Sequence, residues 1–292
     1  MCTEESSQCL SFLVLACPKS GTTWMQRLLG EHPNVHCAES RLFGRYNEQY
    51  SERSTHLPLE EYVHILSKYY RPPCDEARSE AYFESLLGKL IETIASHAIT
   101  ESGKQIYGEK FTPYLATTDH SINQILTLYP KIRLIHLVRD CRDVIVSGMA
   151  HWLHSNPKDP SDWEIPFSYF LDSWIEIQQS MQEARDRFAD VLEVRYEDML
   201  ENPSLQARRV FSFIGATVSD EVIERCVEET TFSKLADGRQ AGEEDPSSFY
   251  RSGTSGQWPD RLSAHQINRV HIEAGALLRS YGYEVPENQL SP

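Results

Sequence analysis

Residues Leu10–Cys17 (LSFLVLAC) form an unbroken apolar run, closed by Pro18 and followed at once by Lys19-Ser20-Gly21-Thr22-Thr23-Trp24. Continuous rather than alternating apolarity predicts a strand buried on both faces, as in parallel sheets. Thr22–Leu29 reads as a helix. Strand, short loop and helix N-terminus together make an anion cradle: unpaired backbone N–H groups and the positive end of the helix dipole meet there. Gly21 permits close backbone approach. Ser20, Thr22 and Thr23 add hydroxyl donors, and Lys19 adds a mobile positive charge. A simple Ser/Thr-capped turn explains one of these residues but not the set. The lysine precedes the glycine, so the segment is not a GxxxxGK[ST] loop, and a kinase or ATPase reading loses its main support.

The pattern recurs. Ile132–Val138 is a second buried strand followed by helix-like Val144–Leu153, and Val191–Arg195 is a third followed by Ser204–Ile214. Repeated strand-then-helix units predict an α/β fold with a parallel sheet. Gln105–Glu109 is a further short strand, and Leu59–Tyr70, Glu80–Thr100 and Ser263–Arg279 read as helices. Ala236–Ser255, rich in Gly, Ser, Asp and Glu, reads as a long loop, which in a compact domain points to function. A length of 292 residues fits one large domain, 1–292.

The formal net charge of −15 disfavours nucleic acid, anionic lipid and polyanionic glycans as partners. Seven cysteines are scattered without a CxxC pair, which argues against a disulfide framework or zinc site and for a reducing compartment. No His/Asp/Glu cluster has metal-ligand spacing, so no metal is expected. The N-terminus is acidic and the first apolar run only strand-long, so no signal peptide or membrane span is expected and the cytoplasm is the predicted location.

Arg139-Asp140-Cys141-Arg142-Asp143 leaves the second strand, with Ser147 eight residues beyond Arg139. Charged residues at the carboxyl end of a parallel strand lie where α/β proteins bind ligands. The planar arginine fork suits phosphate. Arg142 with Asp140 and Asp143 reads as an exposed charge cluster on a helix.

At these segments the sequence resembles the sulfotransferase superfamily, whose donor is 3′-phosphoadenosine 5′-phosphosulfate (PAPS). Pro18–Trp24 (PKSGTTW) matches the family's 5′-phosphosulfate loop, and Arg139 with Ser147 matches its 3′-phosphate pair. Tyr196, in Arg195–Met199 (RYEDM), matches the adenine-contacting tyrosine of the family's YED[LM] segment. Tyr250–Trp258 (YRSGTSGQW) resembles RKGxxGxW, with Ser252 where lysine is usual. The resemblance implies a three-layer, P-loop-like sulfotransferase fold, with a helical acceptor-side insertion at about 40–104. It implies that Lys19, Ser20, Gly21, Thr22 and Thr23 hold the 5′-phosphosulfate. Lys19 would stabilise charge on the bridging oxygen as the bond breaks. Trp24 and Tyr196 would pack on adenine, although each reads equally as a core aromatic. Arg251, Ser252 and Gly253 would close over the 3′-phosphate. Thr230–Phe232 aligns loosely with another adenine-side segment.

The small-molecule branch of the family places a basic histidine in a KxH-type segment. Gly108-Glu109-Lys110-Phe111-Thr112-Pro113 has none at the matching place. Glu31–Arg41 (EHPNVHCAESR) instead resembles the HPxVxCGEETR stretch of tyrosylprotein sulfotransferases, about one residue short. That resemblance implies Glu39 as base, assisted by Lys110. Glu109 is the rival base, or a partner for Lys110. His32, His36, His120 and His136 read as structural. Sulfuryl transfer to a hydroxyl of a small alcohol or phenol, releasing PAP, is the expected activity; a peptide or glycan is the other acceptor class. A nucleotide kinase and a non-catalytic PAP-binding protein are the rival functions. Phe43, Tyr46, Tyr69, Tyr70, Tyr82, Phe83 and Tyr114 are the aromatic candidates for an acceptor pocket, with core packing an equal explanation.

Overall fold

A computed structural model of the chain describes residues 9–40, 43, 68–69, 76–155, 163–245, 247–248 and 250–286. Five strands, β1 (Leu10–Leu15), β2 (Val35–Glu39), β3 (Ile106–Phe111), β4 (Arg133–Val138) and β5 (Asp190–Arg195), form one parallel sheet in the order β2-β3-β1-β4-β5. The unbroken apolarity of β1 has a direct cause. Successive side chains of a strand point to opposite faces, and here both faces are covered. Leu13, Leu15 and Cys17 enter one core, whereas Phe12, Val14 and Ala16 enter the other.

The first core is closed by α2 (Glu76–Ser102), α3 (Thr118–Leu128), α4 (Cys141–Ser155), α5 (Glu164–Ala184) and α11 (Ala264–Ser280). The second is closed by α1 (Thr22–Glu31), α7 (Pro203–Ile214) and α8 (Asp220–Glu229). Short helices α6 (Tyr196–Glu201), α9 (Phe232–Leu235) and α10 (Trp258–Arg261) flank the carboxyl edge of the sheet. The result is the three-layer α/β architecture expected. Helix starts follow local chemistry: Asn202 and Ser219 cap α7 and α8 through their side chains, and Ser263 with Gln266 forms a capping box on α11.

The strands and helices anticipated in the βα units are present, with ends that differ by at most three residues. Strand β2 and helices α3, α5 and α8 are additions. The expected helix at Leu59–Tyr70 lies outside the described residues except 68–69. Among the described residues of 236–255 there is no strand and, after α9 (Phe232–Leu235), no helix, as anticipated for a long loop at Ala236–Ser255.

The sheet order sets where a ligand can enter. The chain leaves β1 toward the β2 edge and leaves β4 toward the β5 edge, yet β1 and β4 are neighbours. Connections that diverge from adjacent parallel strands open a crevice at their carboxyl ends. Lys19 and Arg139 stand at that crevice.

Candidate active site

The loop after β1 adopts a backbone that its sequence anticipates. Gly21 has φ +89°, and Lys19 also lies in the left-handed region at φ +70°. A Cβ at Gly21 would sit 2.4 Å from Tyr196 Cδ2, so only glycine lets the loop and the tyrosine ring meet. No side chain caps α1. Its first-turn N–H groups lie beside the crevice at Thr22 and Thr23.

Arg139, 6% exposed, ties three segments together. Its Nη1 donates to Lys19 O (3.1 Å), its Nη2 to Thr254 O (2.9 Å), and its guanidinium lies 4.3 Å from the centre of the Tyr196 ring. Asp143 fastens the C-terminal loop to α4. Its carboxylate accepts from three successive backbone N–H groups, those of Gly256 (2.5 Å), Gln257 (3.0 Å) and Trp258 (3.2 Å). Arg239 braces the same loop from within, donating to the carbonyls of Glu243, Tyr250 and Arg251 at 2.6–3.0 Å. At Gly253, φ is +65°, and a Cβ there would sit 2.2 Å from the Phe232 ring.

Arg142 and its acidic neighbours are not the exposed cluster expected. Arg142 is 4% exposed, chelates Asp140 through Nε (2.9 Å) and Nη2 (2.6 Å), and stacks 4.0 Å from the Trp258 ring. The reason is the return of α10, α11 and the Glu284 carbonyl over the first turn of α4, contacts from residues more than 110 positions away.

These segments enclose a cavity of about 160 Å³. Every residue assigned to the nucleotide from sequence lines it except Ser20: Lys19, Gly21, Thr22, Thr23 and Trp24 from the first loop, Arg139 and Ser147 from α4 and its approach, Tyr196, and Arg251, Ser252 and Gly253 from the last loop. Ser20 is buried just beneath, 1% exposed. Thr230 and Phe232 also line the cavity, together with Leu200 and Leu235, which sequence reasoning missed. Each stands three or four residues beyond an aromatic already singled out, Tyr196 or Phe232, which is one helical turn and the only signal available.

The electrostatics are those of an anion site. Burial, with Arg139 and Arg251 nearby, pulls the Lys19 ammonium down to about 8. Burial raises the Asp143 carboxyl, and Arg139 opposes that rise. Three residues that line the cavity carry a buried donor without a hydrogen-bond partner among the described residues, Trp24 Nε1, Arg139 Nε and Arg251 Nε, and Ser20 Oγ in the first loop is likewise unpartnered. Buried polar atoms are normally paired, and an acceptor-rich ligand is one way to satisfy these.

Glu39 and Lys110 meet at the other edge of the sheet. They are register partners in β2 and β3, and Lys110 Nζ lies 3.2 Å from Glu39 Oε2. Lys110 is buried, whereas the Glu39 side chain is 45% exposed. Neither lines the cavity of the first site. Glu109 does not pair with Lys110, because adjacent strand residues face opposite ways. It is 1% exposed, accepts from Tyr107 Oη (2.7 Å), and burial raises its carboxyl. Phe43 belongs to the core, edge-on to Phe111 and Tyr129. Tyr69 and Tyr114 are exposed, Tyr82 and Phe83 are partly buried, and Tyr46 and Tyr70 lie outside the described residues. His32 (bonded to Thr217 O at 2.9 Å), His36 (stacked on Tyr107) and His136 (pushed down to about 3 by burial) are packed in the fold. Among the described residues no group of three or more His, Cys, Asp or Glu is arranged to hold a metal ion, and no helix is long and apolar enough to cross a membrane.

The family described as "Sulfotransferase domain" matches residues 11–278. Sulfotransferase 1C2 of Oryctolagus cuniculus is 27% identical over 155 residues, 47% of this chain and 52% of that protein. Sulfotransferase 1A1 of Mus musculus is 29% identical over 163 residues, 49% and 54% respectively. The chain thus spans about half the length of the curated relatives it matches. Among solved structures, mouse sulfotransferase SULT7A1 complexed with PAP superposes with a TM-score of 0.57 at 18% identity, over 94% of this chain and 89% of that one. Retinol dehydratase in a complex with retinol and PAP superposes with a TM-score of 0.54 at 19% identity, over 94% and 83%.

Proposed function

The chain belongs to the sulfotransferase family, and from that premise we propose that it transfers the sulfuryl group of PAPS to a hydroxyl of a small-molecule acceptor, releasing PAP. The observation that carries the reading is the convergence on one cleft of Lys19, Arg139 and Arg251 with the N-terminus of α1 and the aromatic rings of Trp24, Tyr196 and Phe232. The fit extends to both ends of the nucleotide. Lys19, Ser20, Thr22, Thr23 and the backbone at Gly21 suit a 5′-phosphosulfate at a helix N-terminus. Arg139, Ser147, Arg251, Ser252 and Gly253 suit a 3′-phosphate, and Trp24, Tyr196, Leu200 and Phe232 give an apolar slot for a purine.

The donor, when bound, supplies the activated sulfuryl group. Lys19 then places a positive charge where the phosphate–sulfur bridging oxygen becomes negative, a form of stabilisation that grows as the bond breaks. Glu39 is the base that takes the acceptor proton at its carboxylate. Lys110, 3.2 Å away, orients it. Glu39 standing at the β2–β3 edge accords with an acceptor side at about 40–104 of a single domain, although 41–42, 44–67 and 70–75 lie outside the described residues, and the free cysteines at 9, 17, 37, 141 and 226 accord with a cytoplasmic location.

Thermal-shift measurements test the reading. PAP without magnesium is expected to raise the melting temperature, and incubation with labelled PAPS and a phenol panel to yield a labelled product. Stabilisation by ATP with magnesium alone would point to a kinase. PAP binding with no product from any acceptor would leave a nucleotide-binding protein without transferase activity.

A further inference from the structure

Arg251 is held more tightly than a loop arginine needs to be. Its Nη1 donates to Glu244 Oε1 (2.7 Å) and its Nη2 to Gln257 Oε1 (2.6 Å). Gln257 Nε2 in turn donates to the same Glu244 oxygen (3.0 Å), so the three side chains close a ring. The ring is anchored on both sides. Glu244 Oε2 accepts from Arg261 of α10 (2.8 Å), and the backbone N–H of Gln257 is one of the three gripped by Asp143. A guanidinium is planar. Fixing both terminal nitrogens therefore fixes the third, Nε, which is buried and unpartnered in a side chain that lines the cleft.

We propose that Glu244 is a positioning residue for the 3′-phosphate: through Arg251 it holds the Nε edge toward the cleft and so sets how strongly the site prefers a nucleotide that carries that phosphate. The inference rests on the donor assignment above. Two further features support it. Ser252 stands where a lysine would otherwise bring a second cation, so discrimination falls more heavily on the aim of Arg251. Arg251 also shares the cleft with two other cations, Lys19 and Arg139, whose repulsion an untethered side chain would relieve by moving away.

Titration calorimetry of PAP and of adenosine 5′-monophosphate, which lacks the 3′-phosphate, tests this on the full chain. For Glu244→Ala the PAP affinity is expected to fall roughly tenfold, the usual worth of a hydrogen bond to a charged group. The monophosphate affinity should change less than about twofold. Arg251→Ala should lose the same discrimination, and the double variant should be no worse than Arg251→Ala alone, because one path is cut twice. Arg261→Ala, which removes only the outer anchor, should show a smaller loss in the same direction; it is the measurement to rely on if Glu244→Ala does not fold. Tighter PAP binding in Glu244→Ala would mean that the carboxylate competes with the phosphate and would overturn the proposal. Equal losses for both nucleotides would do so as well, by reducing Glu244 to a structural prop. No PAP binding by the unaltered protein would overturn the donor assignment itself, whereas normal PAP binding by an altered Glu244 overturns only this inference.

Discussion

The crevice between β1 and β4 and the edge formed by β2 and β3 lie on the same side of one sheet but are built differently. In the crevice, three segments far apart in sequence are locked by backbone contacts: Arg139 grips the carbonyls of Lys19 and Thr254, and Asp143 grips three N–H groups of the last loop. At the edge, one ion pair with one exposed partner, Glu39 and Lys110, is the recognisable chemistry. Under the proposed function, the difference follows from what each would hold. A doubly phosphorylated nucleotide demands particular donors at particular places. An apolar acceptor demands a shape, which many combinations of side chains can supply.

Three experiments bear on that division, and the largest effect is expected at Lys19. Lys19→Ala should lower turnover by about 10²–10³-fold, the cost of removing one preorganised charge from a developing oxyanion, with the fold intact by circular dichroism. Turnover within tenfold of the unaltered protein would remove Lys19 from the chemistry and leave it a binding residue. Glu39→Gln should lower turnover by about 10²-fold while PAP binds almost as before, because Glu39 stands apart from the cleft. If PAP affinity falls in step with turnover, the two regions are not separable; if turnover is unchanged, Glu109 becomes the base to test.

The smallest effect is a pH dependence. Burial and two neighbouring cations disfavour the charged form of Lys19, so in the free protein its ammonium loses a proton as pH rises through about 8. Binding an anion restores the proton. PAP affinity should therefore be constant near pH 7 and fall by up to about tenfold toward pH 9, with proton uptake seen in calorimetry in two buffers. Tyr196, raised by burial, stays neutral over this range. Lys19→Ala should abolish the slope, and a slope that survives in that variant would assign it to another group.

Legibility in the sequence follows the same division. The β1 run and Pro18–Trp24 could be read directly because burial on two faces forbids polar residues and close anion approach requires glycine. Strand β2 escaped notice because VHCAE is short and only Val35 is fully buried. Helices α3 and α5 lie between motifs, and both begin without a side-chain cap. Arg142 was misjudged because its local sequence is that of a surface helix, whereas Trp258, His271 and Glu284 return from the C-terminal end to bury it. Contacts of that range leave no trace in a short window. Leu200 and Leu235 were missed for a related reason, since a leucine on a helix announces burial but not what it is buried against.

The bond from Arg139 to the Thr254 carbonyl joins residues 115 positions apart. During synthesis the sheet through β5 can assemble while the last loop is still unmade, because β5 ends at Arg195. The cleft cannot. It acquires Arg251, Ser252 and Gly253 only after nearly the whole domain has emerged, and contacts of such separation form late because the loop-closure cost precedes any reward. A nascent chain can therefore pair its strands before the cleft is complete, and a chain that stops short of Trp258 would lack both the closed cleft and α11, which seals the first core.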